Sequence, residues 1–440
     1  MFKIFQISIL AGIISGAFLC TQSFAAGSGA FRLEVPDAGA AGKGSAFVGE
    51  ANTPAAVYYN PAGMTQLDQA AVSVGFSVIQ PFVNYESNAG EESQMRRGTY
   101  VIPEVFFVQP VGERFAVGFG ALSSWGLTTY WHQDSFARYN ATKSVLENKD
   151  YLISTAYKLN DQFTFAVSLD IDDSSVDKQK KISQGAGLDG NFRLKGDSTR
   201  AGYRIAGMYR LNERHQFGLI YRSAVEHKYT GKVYLSELNY SPVATLGGAS
   251  YADIFGTSFE TDVVSKTTLP DSVVLGYSFQ PTPKWVFNAD LEWMNWSVVN
   301  EEELAYPGLD ELVAPHPLAG FRGLVLNGGN PASRDWMSML SFAVGTQYNV
   351  SEKFRWRTGY YYRQSPIPGD TWEANLPDSD SHGVTLGVGY DLTKSLTLDL
   401  AWSGIYYNTR EVDNTAAGGT INGTYRQTCN LLYATATYKF

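Results

Sequence analysis

Cysteine and histidine are scarce in this chain, two and five in 440 residues, and basic clusters are missing. Of the cysteines, Cys20 falls in a leader-like stretch, so a processed chain keeps Cys429 alone and forms no internal disulfide. The histidines (His132, His215, His227, His316, His382) are scattered, and no Gly-x-Ser-x-Gly elbow appears, which leaves acyl transfer without a nucleophile and a positioned base. No His, Cys or carboxylate spacing makes a metal motif. The expectation is therefore a protein that is not an enzyme, with no cofactor and no metal. A formal charge of −9 argues against nucleic acid as a partner. Beyond the leader, no apolar run is long enough for a membrane-spanning helix.

The leader itself is legible. Lys3, an apolar run from Ile7 to Leu19 and then Ser23-Phe24-Ala25 follow the basic, apolar, small-residue order of a secretory signal peptide, with cleavage expected after Ala25. The bulky Phe18-Leu19 oppose acylation at Cys20. Loss of Lys3 takes the charge from −9 to about −10.

What the chain has is tyrosine (27), phenylalanine (25) and glycine (43), arranged with a period of two. "KWVFNADLEWMNW" sets Trp285, Phe287, Ala289, Leu291 and Trp293 against Asn288, Asp290 and Glu292. "EKFRWRTGYYYR" sets Phe354, Trp356, Tyr360 and Tyr362 against Arg355, Arg357, Tyr361 and Arg363. A soluble sandwich alternates too, but three features favour a lipid-facing barrel. Short polar turns recur after tyrosine-containing strand ends ("YKLNDQFTF", "YRLNERHQF", "YSFQPTPKWVF", "YNVSEKFRW", "YDLTKSLTL"), as an aromatic girdle on one rim requires. The other connections, residues 173–192, 231–258, 300–334 and 364–380, are long and irregular. The chain ends in a strand closing on Phe440, which resembles the signal read by the barrel assembly machinery. Strand starts near 70, 99, 114, 150, 162, 192, 215, 258, 284, 335, 353, 382, 395 and 428 predict an all-β, transmembrane antiparallel barrel of fourteen strands.

Residues 26–68 do not alternate. They are rich in Ala and Gly and include "NTPAAVYYNPAGM", where Asn60 can cap a short helix opening on Pro61. "GAAGKGS" fails the spacing of a phosphate loop and reads as a flexible segment. A compact segment in front of a barrel has one sheltered place, the lumen. The expected organisation is a signal peptide (1–25), an N-terminal hatch (26–68) and the barrel (69–440). Charges on the lumen faces (Asp170, Arg204, Arg210, Asp290, Glu292, Arg355, Arg357, Arg363, Asp399) are expected to pair and stiffen the barrel rather than line a path.

The post-signal "GSGAFRL", "GKGSAFVGEA", "NPAGM", "VQPVGERFAVGFGALSSWGLTTYW", "LPDSVVLGYSFQPTPKWVFNADLEWMNWS" and the "WRTGYYYRQSPIP…LPDSDSHGVTLGVGY" region resemble the FadL/TodX-type outer-membrane transporters of long-chain fatty acids and aromatic hydrocarbons. The resemblance covers nearly the whole mature chain. It implies a Gram-negative outer-membrane location, among lipid and lipopolysaccharide, and a monomer. It also implies capture of a hydrophobic molecule by outer loops and exit sideways through a kink in strand three, at Ser123, Ser124, Trp125 and Gly126. The hatch motif Asn60, Pro61, Ala62 and Gly63 would sit against that opening. Long-chain fatty acids are the expected cargo, with aromatic hydrocarbons the alternative. Lys178, Lys180 and Lys181, after strand five, are candidate carboxylate partners, opposed by the acidic Glu301, Glu302 and Glu303. A general porin is opposed by a plug of this length.

Overall fold

The computed structural model describes residues 29–34, 37–185, 187–309, 317–328 and 330–440, so the signal peptide lies outside the described residues. Among these, fourteen strands span the wall. They are β1 (Ala71–Ser87), β2 (Tyr100–Val111), β3 (Phe115–Leu122 and Gly126–Tyr130), β4 (Lys143–Lys158), β5 (Phe163–Ser183), β6 (Asp189–Arg210) and β7 (His215–Arg222 and Val225–Ser236). They continue as β8 (Phe259–Leu269 and Ser272–Thr282), β9 (Trp285–Met294), β10 (Met339–Asn349), β11 (Phe354–Arg363), β12 (Ser381–Asp391), β13 (Leu396–Tyr407) and β14 (Gly423–Lys439). Each pairs antiparallel with the next, and β14 closes on β1 from Ala71 opposite Lys439 to Ser87 opposite Gly423. Closure satisfies the backbone inside hydrocarbon, where an open edge is costly.

The alternation read from the sequence is the in/out alternation of the wall. Phe287 and Leu291 face outward, 41% and 51% exposed, while Asn288, Asp290 and Glu292 on the other face are buried. The short turns share one device. Asn160 and Asn212 side chains each accept the two N–H groups that open the next strand, and Ser351 and Thr393 hydroxyls do the same. Along that rim aromatic rings neighbour one another, Phe163 with Tyr209 at 4.6 Å and Trp285 with Tyr348 at 4.6 Å. This is the interfacial girdle.

Two expectations about the opposite rim need correcting. Residues 173–192 are not an irregular loop: β5 and β6 run on in register until Ser183 meets Asp189. At 21 and 22 residues they are about twice the length that crosses a bilayer, so their upper halves stand outside it. There both faces are polar, and no apolar period marks the strand. Lys178, Lys180 and Lys181 consequently lie on β5, not after it. Likewise β7 continues to Ser236, and the remaining loop carries a helix, Tyr251–Phe255, closed by a Ser250/Asp253 capping box.

Residues 37–68 fold inside the ring. Helices at Ala38–Ala41, Ala56–Tyr59 and Pro61–Gln66 leave much backbone free, and the wall supplies its partners. Thr435 accepts from Ala38 N–H and Thr385 from Gly44 N–H, while Asp290 Oδ2 accepts from Phe47 and Val48 N–H at 2.8 and 3.0 Å. Gln216 donates to the Gly49 carbonyl. The "GAAGKGS" stretch is far from loose: Lys43 is buried, ion-paired to Glu50 and set over the Phe47 ring. Burial pushes the Lys43 ammonium below its ordinary range, while Glu50 opposes that shift. We expect a cysteine at buried Met64 to resist thiol reagents from both sides, and one at Tyr240, 66% exposed on a long loop, to react from outside. Intact-cell labelling checks both, since native Cys429 is buried.

Candidate functional site: the broken third strand and its cover

Strand β3 breaks where its sequence predicts an interruption. Against β4, Leu122 stands opposite Asp150 and Gly126 opposite Glu147, so Ser123, Ser124 and Trp125 face only two residues, and β3 carries one extra. That is a bulge. On the other side the change is larger. Pairing with β2 ends at Val105 opposite Ala121, and the β3-facing edge of β2 over residues 100–104 meets no strand among the described residues. The barrel wall is therefore open between β2 and the upper half of β3.

An extended piece of the N-terminal segment takes the bare edge of β3. Arg32 bridges to Trp125, Leu33 N–H donates to the Ser124 carbonyl at 2.9 Å, and Gly126 N–H donates to the Phe31 carbonyl at 2.8 Å. This corrects the expected position of Asn60-Pro61-Ala62. Their helix packs lower on the same strand, where a Cβ on Gly118 would meet Met64 and Val57. The reason lies in the backbone: an extended segment has free N–H and C=O groups to offer an edge, and a helix does not. Asn60 works instead as a clamp. Its Oδ1 accepts from Ala62 N–H, capping the helix, and its Nδ2 donates to Val48 and to Gly207 of β6, each at 3.1 Å. Gly63 permits a close turn, since a Cβ there would lie 2.1 Å from the Ala51 carbonyl.

Charges pin the covering segment. Glu292 of β9 is ion-paired with Arg32, with Arg222 at 3.5 Å and with Arg363 at 3.6 Å, and Arg363 also holds Glu34 at 2.7 Å. Ala30 N–H donates to Asp378, whose burial pushes its carboxyl up to about 6. The lumen charges do pair, Asp170 with Arg204 and Arg357 with Asp399, but several take their partner from the N-terminal segment. Two are exceptions among the described residues: Asp290 accepts backbone N–H groups instead, and Arg210 is exposed at the turn rim and reaches Gln66.

Above the cover lies a cavity of about 270 Å³. Its floor is aromatic. Phe31 lies 4.7 Å from Trp296 and 5.7 Å from Trp336, with Trp125 5.7 Å from Trp296, so one ring of the N-terminal segment separates cavity from break. Leu127, Val176, Val299, Ile367 and Leu376 form apolar walls. Lys178, Lys266, Arg334, Glu301, Glu302, Glu303 and Glu373 surround the mouth. Of the three candidate lysines only Lys178 lines this cavity, and Glu302 engages it; Lys180 and Lys181 line a separate outer groove, where Lys181 donates to Asn191. Burial opposes ionisation of Glu302, yet Lys178 and Arg334 together hold its carboxyl well below the usual range. Among the described residues, Lys266 lines the cavity without an ion pair.

Phe31, Arg32 and Glu34 were not singled out in the sequence. The signal was there: in "FRLE" apolar and charged residues alternate, a strand period four residues long.

Comparison with known proteins agrees with this architecture. A long-chain fatty acid transport protein of Escherichia coli O6:H1 is 25% identical over 426 residues, covering 89% of each chain. The crystal structure of a Pseudomonas aeruginosa FadL homologue superposes with a TM-score of 0.78 at 18% identity, over 93% of this chain and 100% of the other. The Pseudomonas putida toluene transporter TodX gives 0.67 at 20% identity, over 94% and 99%. Residues 16–440 match the family described as outer membrane protein transport protein (OMPP1/FadL/TodX), and this fourteen-stranded protein of the Gram-negative outer membrane belongs to that family.

Proposed function

We propose that the chain takes up hydrophobic compounds, long-chain fatty acids above all, by capture in the outer cavity, rearrangement of the N-terminal hatch and exit sideways through the break in β3. One observation carries the reading: the segment covering the break also supplies Phe31 to the cavity floor, so a single movement opens both. An apolar solute gains nothing from a water-filled pore, and a lateral route delivers it to lipid. The chain acts as a monomer among lipid and lipopolysaccharide, placed there by the barrel assembly machinery, and performs no chemistry on its cargo.

The mouth supports a fatty acid through Lys266, the cavity cation without an ion pair among the described residues; Lys178 and Arg334 are already taken by Glu302. An aromatic hydrocarbon is the second reading, supported by the aromatic floor and by those occupied cations. Direct binding of a long-chain fatty acid and an alkylbenzene to purified protein separates them. Lys266→Ala is expected to weaken fatty-acid binding about tenfold, the worth of one charge-assisted hydrogen bond, and to spare the alkylbenzene. Saturable alkylbenzene binding with no fatty-acid binding overturns the fatty-acid assignment.

A further inference from the structure

The upper halves of β5 and β6 stand above the bilayer, and cations from four neighbouring strands collect on their outer face. Leu194 of β6 and Val233 of β7 are buried opposite each other on the lumen side, so the residues flanking them point outward. Three successive rungs of that outward face are basic. The topmost sets Lys181 opposite Asn191, and Asn191 opposite Ser236. The next runs Lys143, Gln179, Arg193 and Tyr234, and the third Asp177, Lys195 and Lys232. These rungs hold five cations and one carboxylate. Carboxylates return one rung lower, at Glu147 and Asp197, and bound the cationic stretch.

The neighbouring side chains leave much of this charge unmatched. Asp177 is taken by Lys143 at 2.6 Å and by Arg193 at 2.9 Å, and Lys232 is paired with Glu260. Lys181 donates to Asn191, and Lys180 lies 5.6 Å from the centre of the Phe192 ring. Among the described residues, Lys180, Lys181 and Lys195 have no ion pair. Lys195 also stands directly opposite Lys232, and like charges facing each other across a strand pair are destabilising. A groove of about 570 Å³ runs over these rungs, lined by Lys180, Lys181, Arg193 and Lys195 against one carboxylate, Glu237, with amides and hydroxyls between them. An anion in the groove would meet all four cations.

Height selects the ligand. Ile171 is the last apolar residue on the outward face of β5, and Asp173, Ser175, Asp177, Gln179 and Lys181 follow it upward. At ~3.4 Å per residue and a tilt of about 40°, Asp177 and its neighbour Lys195 stand about 15 Å above the hydrocarbon, and Lys181 about 25 Å. Lipid A phosphates lie at the hydrocarbon boundary, below the groove. The layer at groove height is the core saccharide, whose sugars carry phosphate and carboxylate groups. We propose that the groove binds the phosphorylated core saccharide of lipopolysaccharide in the surrounding leaflet, through charge-assisted hydrogen bonds from its lysines and Arg193. This gives a role to Lys180 and Lys181, which the cargo cavity leaves out. It rests on the location of the barrel and is independent of the cargo.

The test titrates the full, detergent-solubilised protein with lipopolysaccharide and reads the bound mass by native mass spectrometry. Rough lipopolysaccharide with a complete phosphorylated core is expected to bind about tenfold or more tighter than two comparison lipids. These are deep-rough lipopolysaccharide, which ends before the heptoses, and the rough form chemically stripped of core phosphate. Lys181→Gln/Lys195→Gln is expected to lose that preference. Lys353→Gln/Lys394→Gln, at two exposed lysines on the turn rim, is expected to keep it. Heat-modifiable gel mobility verifies folding, and the three-lipid comparison on native protein needs no variant. Saturating long-chain fatty acid is expected to leave the saccharide bound. Equal binding of the three lipids overturns the proposal by placing recognition at lipid A or the acyl chains. A preference kept by Lys181→Gln/Lys195→Gln overturns it by placing the site elsewhere. Competition by inorganic phosphate as strong as that by the core reduces the groove to an anion site, and displacement by fatty acid makes it a cargo site; either result overturns the proposal.

Discussion

Gly345→Val is expected to turn a closed barrel into a leaky one. Gly345 faces the lumen from β10, and a Cβ there would lie 2.1 Å from the Lys43 carbonyl oxygen. Gly359 on β11 and Gly276 on β8 stand in the same relation to Gly44 and Gly49, each with a Cβ position 2.3 Å from backbone nitrogen. The main chain of the N-terminal segment thus rests directly on the wall, at positions where glycine alone leaves room. Overpacking a fitted contact costs about 1–3 kcal/mol where neighbours can shift. Here the neighbour is main chain, tied on both sides through Gly44 N–H and the Gly42 carbonyl to Thr385, so the N-terminal segment is expected to yield as a unit. The wall itself keeps its pairing, since Gly345 stands between Asn288 and Gly359 through backbone contacts alone. Proteoliposome swelling with small sugars is the measurement. The variant is expected to approach the permeability of a chain lacking residues 26–68. Swelling as slow as the native protein in both variants sinks the idea that this segment closes the lumen.

The sequence displayed the barrel where lipid faces one side and polar lumen the other, because only that contrast writes a period of two. All fourteen strands begin within about seven residues of where alternation places them. Where β5 and β6 leave the bilayer the contrast disappears, and "DDSSVDKQKKIS" looked like loop although it is paired throughout. The three lysines were misplaced with it. The break at Ser123–Gly126 was visible as lost alternation, but its cover was not, because nothing local says that Phe31–Leu33 will meet residues some ninety positions later. Nor was the network around Glu292, whose partners come from Arg32, Arg222 and Arg363. A charge on a lumen face is legible; its partner across the lumen is a property of closure.

Glu292→Gln is expected to release the cover from the break. Among the described residues the cover's own backbone holds β3 by two hydrogen bonds, from Leu33 N–H to Ser124 and from Gly126 N–H to Phe31, so its charges decide whether it stays. Glutamine keeps the size of the side chain but removes the charge shared by three guanidinium groups, leaving them, among the described residues, the Arg363–Glu34 ion pair alone. Breaking a buried ion pair costs about 3–5 kcal/mol, because the partner is stranded rather than merely less well bound. The cheapest relief is for Arg32 to leave, since it sits on a short segment, whereas Arg222 and Arg363 are fixed in β7 and β11. Departure of Arg32 takes Phe31 from among Trp125, Trp296 and Trp336 and uncovers the bare edge of β3. Leu33, 1% exposed, reports the change as Leu33→Cys in a chain where Cys429 is replaced by serine. Labelling of Cys at that position is expected to speed up about 100-fold or more in the Glu292→Gln background, the equivalent of roughly 3 kcal/mol. Glu301→Gln, at the exposed mouth, is the control and should leave the rate alone. Equal protection in all three chains would mean that the cover is held by packing of Phe31 and Leu33, not by the charges of β9 and β11.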